Sequence, residues 1–249
     1  MTTRNDALRR LAAAESLLVC LDFDGTLAEL ATDPYAVRTH PTALRALTVL
    51  SETPSTTVAV LSGRHLDGLR RVFPLGDPVV LVGSHGAEPT QGAVTLSEGD
   101  TAYLDRIQDV LEELAQPPAY VEVKPYQRVL HVAPLAERDS AAAEALLARA
   151  ARIDTGGRPV TEGRNVVEFS AVDVTKGSWL ARFKQGFDAT LFAGDDTTDE
   201  SALSALGPRD VGIKVGPKPT VAPLRVARVE DMAAFLSDLA RERRRYAPE

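Results

Sequence analysis

The chain has 249 residues, 44% of them hydrophobic and 25% charged, with a formal net charge of −7. This composition suits a globular protein of one large or two small domains, and the negative charge argues against a nucleic-acid binder, which needs a basic face. A lone cysteine, Cys20, permits no internal disulfide, and no apolar run approaches the roughly 20 residues needed to span a bilayer.

The N-terminus starts basic, but acidic residues interrupt its weakly apolar part and no cleavage site follows. It therefore reads as a helix leading into a strand and not as a signal peptide, and the protein is expected in the cytoplasm, away from membranes, as a monomer. LLVCLDF (17–23) reads as a strand, PTALRALTVLSE (41–52) as a helix, TTVAVLSG (56–63) as a strand, RHLDGLRRVF (64–73) as a helix and PVVLVGS (78–84) as a strand. Near-continuous apolar strands separated by helices imply a parallel sheet covered on both faces. From about residue 88 the texture changes. AVTLSEG (93–99), AYVEVKPYQRVLHVAP (119–134, turning at 125–127) and GRNVVEFSA (163–171) read as strands with a wetter face, and 101–116 and 137–153 as helices. The first texture then returns: a helix over 175–186, the strand ATLFAG (189–194), a helix over 198–206, the strand DVGIKV (210–215) and a last helix over 229–245. The closing cluster ARERRRYAPE (240–249) reads as a solvated helix end, with cations suited to the helix dipole. The expected fold class is α/β: a Rossmann-like parallel-sheet core (1–87 and 173–249) with an inserted smaller α/β cap (88–172) that acts as a lid over the strand ends.

The chemistry sits in the turns. Asp22 and Asp24 follow the first strand, and in extended backbone residues i and i+2 point the same way, so the two carboxylates face one space if the strand persists there. Two close carboxylates repel, which raises one pKa or demands a cation. A calcium loop fails on register, because loop positions six and twelve hold Leu27 and Asp33 where glycine and glutamate are needed. A plain turn remains open. Asp195 and Asp196 end an apolar strand and, with Asp22, suit a magnesium site. Asp199 and Glu200 alone read as ordinary acidic residues at a helix start. Ser62 reads equally as a phosphate donor or an N-cap, and Lys176, just inside a helix, as a phosphate partner or a solvated lysine. Cys20 reads as a small buried hydrophobe.

Together, D-x-D-G-T-L (22–27), Ser62, Lys176 and G-D-D-x-T-D-E (194–200) resemble the haloacid-dehalogenase superfamily of phosphotransferases. LSGR (61–64), GSHGAE (83–88), VEVK (121–124) and GRNVVE (163–168) narrow the resemblance to the trehalose-6-phosphate phosphatases. The resemblance implies that Asp22 is the nucleophile and Asp24 the general acid and base. Asp22, the Asp24 carbonyl and Asp195 would hold Mg²⁺, while Ser62 and Lys176 grip the phosphate. Asp196 and Asp199 would orient that shell, and Glu122, Lys124 and Glu168 would bind hydroxyls of a small-molecule sugar phosphate, with Arg64 and His85 beside the cleft. Without the resemblance the three cap residues read as exposed alternating strand positions.

The chain departs from the family's H-Y-R and E-[IVL]-R-P patterns at HVAP (131–134) and EFSA (168–171). A related disaccharide or pseudo-disaccharide phosphate is therefore an alternative substrate. A phosphosugar mutase and a catalytically dead binding domain are the alternatives from other classes.

Overall fold

The structure is a computed structural model, and it describes residues 3–90, 92–163 and 165–246. In chain order the elements begin with α1 (Arg4–Ala12), β1 (Leu17–Leu21), α2 (Pro41–Ser51), β2 (Thr56–Leu61), α3 (Leu66–Val72), β3 (Val80–Gly83) and β4 (Glu88–Pro89). They continue with α4 (Glu98–Leu114), β5 (Tyr120–Val123), β6 (Gln127–His131), α5 (Ala133–Ala136), α6 (Ser140–Ala150), β7 (Val160–Gly163) and β8 (Val166–Ser170). The last are α7 (Lys176–Phe183), β9 (Ala189–Gly194), α8 (Glu200–Ser204), β10 (Val211–Val215), β11 (Leu224–Val226) and α9 (Val229–Tyr246). The chain divides into two compact units, Met1–Ala93 with Val174–Glu249, and Val94–Asp173. Residues 88–90 and 92–93, expected at the start of the insertion, belong to the first unit, where Glu88–Pro89 pairs antiparallel with β3.

The first unit is built on a sheet of order β11-β10-β9-β1-β2-β3-β4, parallel except at the β3–β4 edge. Every residue of β1 is buried, and its side chains alternate between two apolar layers. Leu17, Val19 and Leu21 pack with α1, α2, α3 and α9, whereas Leu18 and Cys20 pack with Trp179 and Leu180 of α7 and with Leu203 of α8. A strand buried on both faces has no polar alternation, which is why the apolar run marks the centre of a covered parallel sheet. Burial pushes the Cys20 thiol upward, so it is an inert packing group. The chain runs from β1 out to β3 on one side and returns at β9 on the other. The carboxyl ends of β1 and β9 therefore flank the point where strand order reverses, which is where open α/β sheets bind ligands.

The second unit has an antiparallel sheet of order β5-β6-β8-β7. One face, with Leu130, Val167 and Phe169, packs on Leu104, Ile107 and Leu111 of α4 and Leu146 of α6, and the other, mostly polar face carries Glu122, His131 and Glu168 around a buried Val129. The strand expected over 93–99 does not form. Ser97 and Asp100 make a capping box that starts α4 at Glu98, and a satisfied helix start outcompetes a short alternating run with no partner strand. The expected 163–171 strand begins only at Val166; Gly163 closes β7, which the sequence reading missed along with β4, β11 and α5. Arg164, within that expected strand, lies outside the described residues, as do 247–249 of the basic end. Among the described residues no helix is long and apolar enough to cross a membrane.

The basic end of α9 is not wholly solvated. Arg243 is 1% exposed, and its guanidinium donates to Thr56 Oγ1 (3.0 Å), Ala12 O (2.9 Å), Ser55 O (2.9 Å), Glu15 O (3.4 Å) and Ala14 O. One side chain thus ties the last helix to the segments that end α1 and start β2. Arg243→Met should lower stability by about 2–4 kcal/mol, because buried carbonyls lose their donor. Arg244→Met, at an exposed position, should change it by under about 0.5 kcal/mol. Urea unfolding midpoints of the two variants check the contrast, and equal midpoints would remove Arg243 from this role.

Candidate active site

The site grows from the end of β1. The Asp22 amide donates to Ala193 O at 3.0 Å, continuing the β1–β9 ladder one residue beyond the strand and fixing the Asp22 backbone. Phe23 is fully buried in the core, and Gly25 (φ +75°) then turns the chain. A Cβ on Gly25 would stand 2.4 Å from Asp195 Cγ, and one on Gly194 would stand 2.3 Å from Asp199 Cγ. Both positions must lack a side chain so that the two carboxylates can lie against the backbone.

Asp22, Asp195 and Asp199 each bring a carboxylate oxygen within 4.8 Å of the others. Asp22 is 4% exposed and Lys176 3%. Lys176 Nζ donates to Asp22 Oδ1 and to Asp199 Oδ1, both at 2.6 Å, and Thr26 Oγ1 donates to Asp22 Oδ2 at 3.1 Å. Lys176 is the first residue of α7, held there by a Thr175–Ser178 capping box. A cation at a helix N-terminus opposes the dipole, so the two carboxylates are what make the position tolerable. Burial pulls the Lys176 ammonium down, but Asp199 and Asp22 outweigh it and hold it charged, above its ordinary value. Burial pushes the Asp22 carboxyl up, Lys176 pulls it back and Asp199 pushes it up again, leaving it well above the usual range. Asp195, half-buried beside Asp199 and Asp196, is pushed up to about 6, with burial the leading cause. One ammonium among three carboxylates leaves excess negative charge, and hard oxygen donors in such a group fit Mg²⁺.

The condition for facing carboxylates, a strand that persists through Asp24, is not met. The strand ends at Leu21, and the Asp24 carboxylate closes on Arg64 through two bonds of 2.7 Å, Nε to Oδ2 and Nη2 to Oδ1. This bidentate fork takes Asp24 out of the acidic group. Asp199 does not cap α8 as its position suggests. It has no capping bond; its Oδ1 meets Lys176 and its Oδ2 accepts from the Asp196 amide at 2.9 Å. Asp196 itself turns outward to Lys218, 2.6 Å away.

Ser62 is buried, with Oγ accepting from the Arg64 amide at 3.1 Å, and the His85 amide donates to Ser62 O at 3.0 Å. His85 adopts φ 54° and its ring fills the space over Gly63. Glu88 Oε2 accepts from the Leu66 amide (2.8 Å) and Ser84 Oγ (3.1 Å), joining the turns after β2 and β3. Lys214 was missed by sequence reasoning. It is 0% exposed on β10, and its Nζ donates to Asp196 O and Glu200 Oε1, both at 2.8 Å, anchoring the acidic loop. The available signal was a lysine inside an otherwise apolar strand, since a buried lysine requires partners.

In the second unit, Glu122, Lys124 and Glu168 come together on the polar sheet face. Strand register sets Glu122 and Glu168 on either side of Val129. Lys124 Nζ lies 3.2 Å from Glu168 Oε2 and 3.9 Å from Glu122 Oε2.

A divalent cation entering the acidic group must displace the Asp195 proton below pH 6. The Asp22 carboxyl, also raised, adds to this competition, so Mg²⁺ affinity measured by titration calorimetry should weaken at least about tenfold from pH 7 to pH 5. In the metal-free protein the raised pKa has the opposite sign: it adds stability at low pH that is lost as pH rises through about 6. A pH-independent affinity across that window would take Asp195 out of the metal-binding set.

Comparison with known proteins follows the same lines. The family model described as trehalose-phosphatase matches residues 20–230. A trehalose-phosphate phosphatase of Mycobacterium tuberculosis is 34% identical over 270 aligned positions, covering 98% of this chain and 68% of that protein. A bifunctional trehalose-6-phosphate synthase/phosphatase of Thermoproteus tenax is 30% identical over 240 positions. That alignment covers 92% of this chain but only 32% of the relative, so the chain spans about a third of that protein's length. Among solved structures, the C-terminal domain of the C. albicans trehalose-6-phosphate phosphatase superposes with a TM-score of 0.81 at 21% identity, covering 96% of each chain, which supports the fold. With its acidic strand-end cluster and a family model matched over most of its length, the chain belongs to the trehalose-phosphatase family.

Proposed function

We propose that the protein is a Mg²⁺-dependent phosphatase that hydrolyses trehalose 6-phosphate to trehalose and phosphate through an aspartyl phosphate on Asp22. The observation that carries this reading is the Asp22 carboxylate at the mouth of β1, one oxygen on Lys176 and the other on Thr26, inside an acidic group that lacks balancing positive charge. Hydrogen bonds to both oxygens fix the plane of the nucleophile. Asp22 attacks phosphorus, the bond from phosphorus to the sugar oxygen breaks, and that oxygen takes a proton from Asp24. A water then attacks the aspartyl phosphate and gives its proton to Asp24, and Asp22 is freed. Asp24 can carry that proton only after Arg64 releases it. Lys176 and Ser62 hold phosphate oxygens in this reading, with His85 and the freed Arg64 beside them. The carboxylates of Asp22 and Asp195 and the Asp24 carbonyl would hold the metal; Asp199 orients Lys176 and the Asp196 amide, and Asp196 orients Lys218. When bound, Mg²⁺ supplies positive charge that neutralises the phosphoryl oxygens.

Sugar recognition falls to the inserted unit, proposed as the specificity cap, through Glu122, Lys124 and Glu168. Charged partners strengthen bonds to neutral hydroxyls. The working unit in this reading is a monomer in the cytoplasm. A related disaccharide phosphate is the second reading, favoured by Ala133 and Ser170 standing where the family pattern has arginine. Ala133 instead opens α5, and Ser170 bonds to Val172 O.

Phosphate release from trehalose 6-phosphate, glucose 6-phosphate and related disaccharide phosphates, with Mg²⁺ and with EDTA, tests the proposal. Trehalose 6-phosphate should be preferred and EDTA should stop turnover; release from none of them by folded protein would sink the enzyme reading. Asp22→Asn should lower kcat by more than about 10³-fold, because an amide does not attack phosphorus. Glu122→Ala and Glu168→Ala should each cost about 10- to 100-fold in kcat/KM on trehalose 6-phosphate and far less on a small phosphate ester. Equal losses on both substrates would assign these two residues to structure.

A further inference from the structure

On the polar face of the second unit's sheet, the cluster of Glu122, Lys124 and Glu168 continues into two residues with no role so far. Tyr120 and His131 are directly opposed on β5 and β6, and their rings stack with centroids 4.8 Å apart and planes 13° from parallel. His131 Nε2 lies 2.9 Å from Glu122 Oε2, so with a proton on that nitrogen the imidazole donates to the carboxylate. Tyr120 is nevertheless 50% exposed, on the face opposite the unit's apolar core. The result is a continuous run along one sheet face: an open aromatic plane, an imidazole, a carboxylate, an ammonium and a second carboxylate.

The chemistry of this run selects a ligand class. A pyranose presents a C–H face that packs on an aromatic plane, and a rim of hydroxyls that seek charged donors and acceptors. The face offers hydroxyls both acceptors, on Glu122 and Glu168, and a donor, on Lys124, a set that suits an uncharged polyol ring. We propose that Tyr120 and His131 form a stacked ledge for the unphosphorylated pyranose of the substrate. Tyr120 supplies the plane, and His131 is a positioning residue that holds Glu122 at the ring's edge. This inference rests on the trehalose 6-phosphate reading and extends its recognition set beyond the charged trio.

The test is the ratio of kcat/KM on trehalose 6-phosphate to kcat/KM on p-nitrophenyl phosphate, which cancels any loss of folded protein. Tyr120→Ala and His131→Ala should each lower the ratio about 10-fold, mainly through KM on the sugar phosphate. Tyr120→Phe keeps the plane and should stay within about twofold of wild type. His131→Gln keeps an N–H for Glu122 and should recover most of the loss. A ratio unchanged in both alanine variants overturns the ledge while leaving the functional reading intact. His131→Gln as impaired as His131→Ala overturns the positioning role. A wild-type protein with no preference for trehalose 6-phosphate overturns the functional reading, and the ledge with it.

Discussion

The buried ammonium of Lys176 is the constraint around which the first unit is arranged. A charge this deeply buried survives only with close opposite partners, because its desolvation costs several kcal/mol. Its partners come from far apart in the chain, Asp22 after β1 and Asp199 after β9, each 2.6 Å away. The ammonium also stands at the N-terminus of α7, where the dipole opposes it. The fold must therefore deliver two carboxylates to one point, and it does so through the β1–β9 ladder, with Gly25 and Gly194 leaving room for the Asp195 and Asp199 side chains. Because the acidic group then holds more negative than positive charge, the arrangement that stabilises Lys176 is also one that could hold a divalent cation. Structure and chemistry share a single electrostatic balance here.

Much of this was legible in the sequence wherever burial erases alternation. LLVCL and ATLFA read as strands covered on both faces, which put the aspartates after them at the carboxyl ends of a sheet. What was not legible depended on where backbone regularity stops. The strand ends at Leu21, so the i, i+2 rule no longer binds Asp24, and Arg64 captures it from another turn. Asp199 occupies a helix-start position that acidic residues fill for local reasons, and only the tertiary approach of Lys176 reveals its other use. Arg243 and Lys214 were misread or missed for the same reason: a basic residue looks solvated until distant carbonyls or a carboxylate surround it. The strand expected over 93–99 failed because Ser97 and Asp100 satisfy a helix start locally, while the short strands β7 and β11 exist only through their neighbours.

The two units place different limits on change. In the first, Lys176 is buried against Asp22 and Asp199, and Lys214 is buried against Glu200, so replacing one partner leaves an uncompensated charge behind. In the second, the apolar core lies on one sheet face, while Glu122, His131 and Glu168 stand on the other at alternate positions. Because side chains alternate with a period of two, a residue on that polar face can change without disturbing Leu130, Val167 or Phe169 behind it. Departures from the family pattern at 131–134 and 168–171 fall on both sides of this sheet: Val132 and Ala171 pack in the apolar core, whereas Ser170 lies at the end of β8 with its hydroxyl on Val172 O. On the proposed reading, a sheet with one committed face and one open face would let substrate choice vary while the phosphoryl chemistry stays fixed in the other unit.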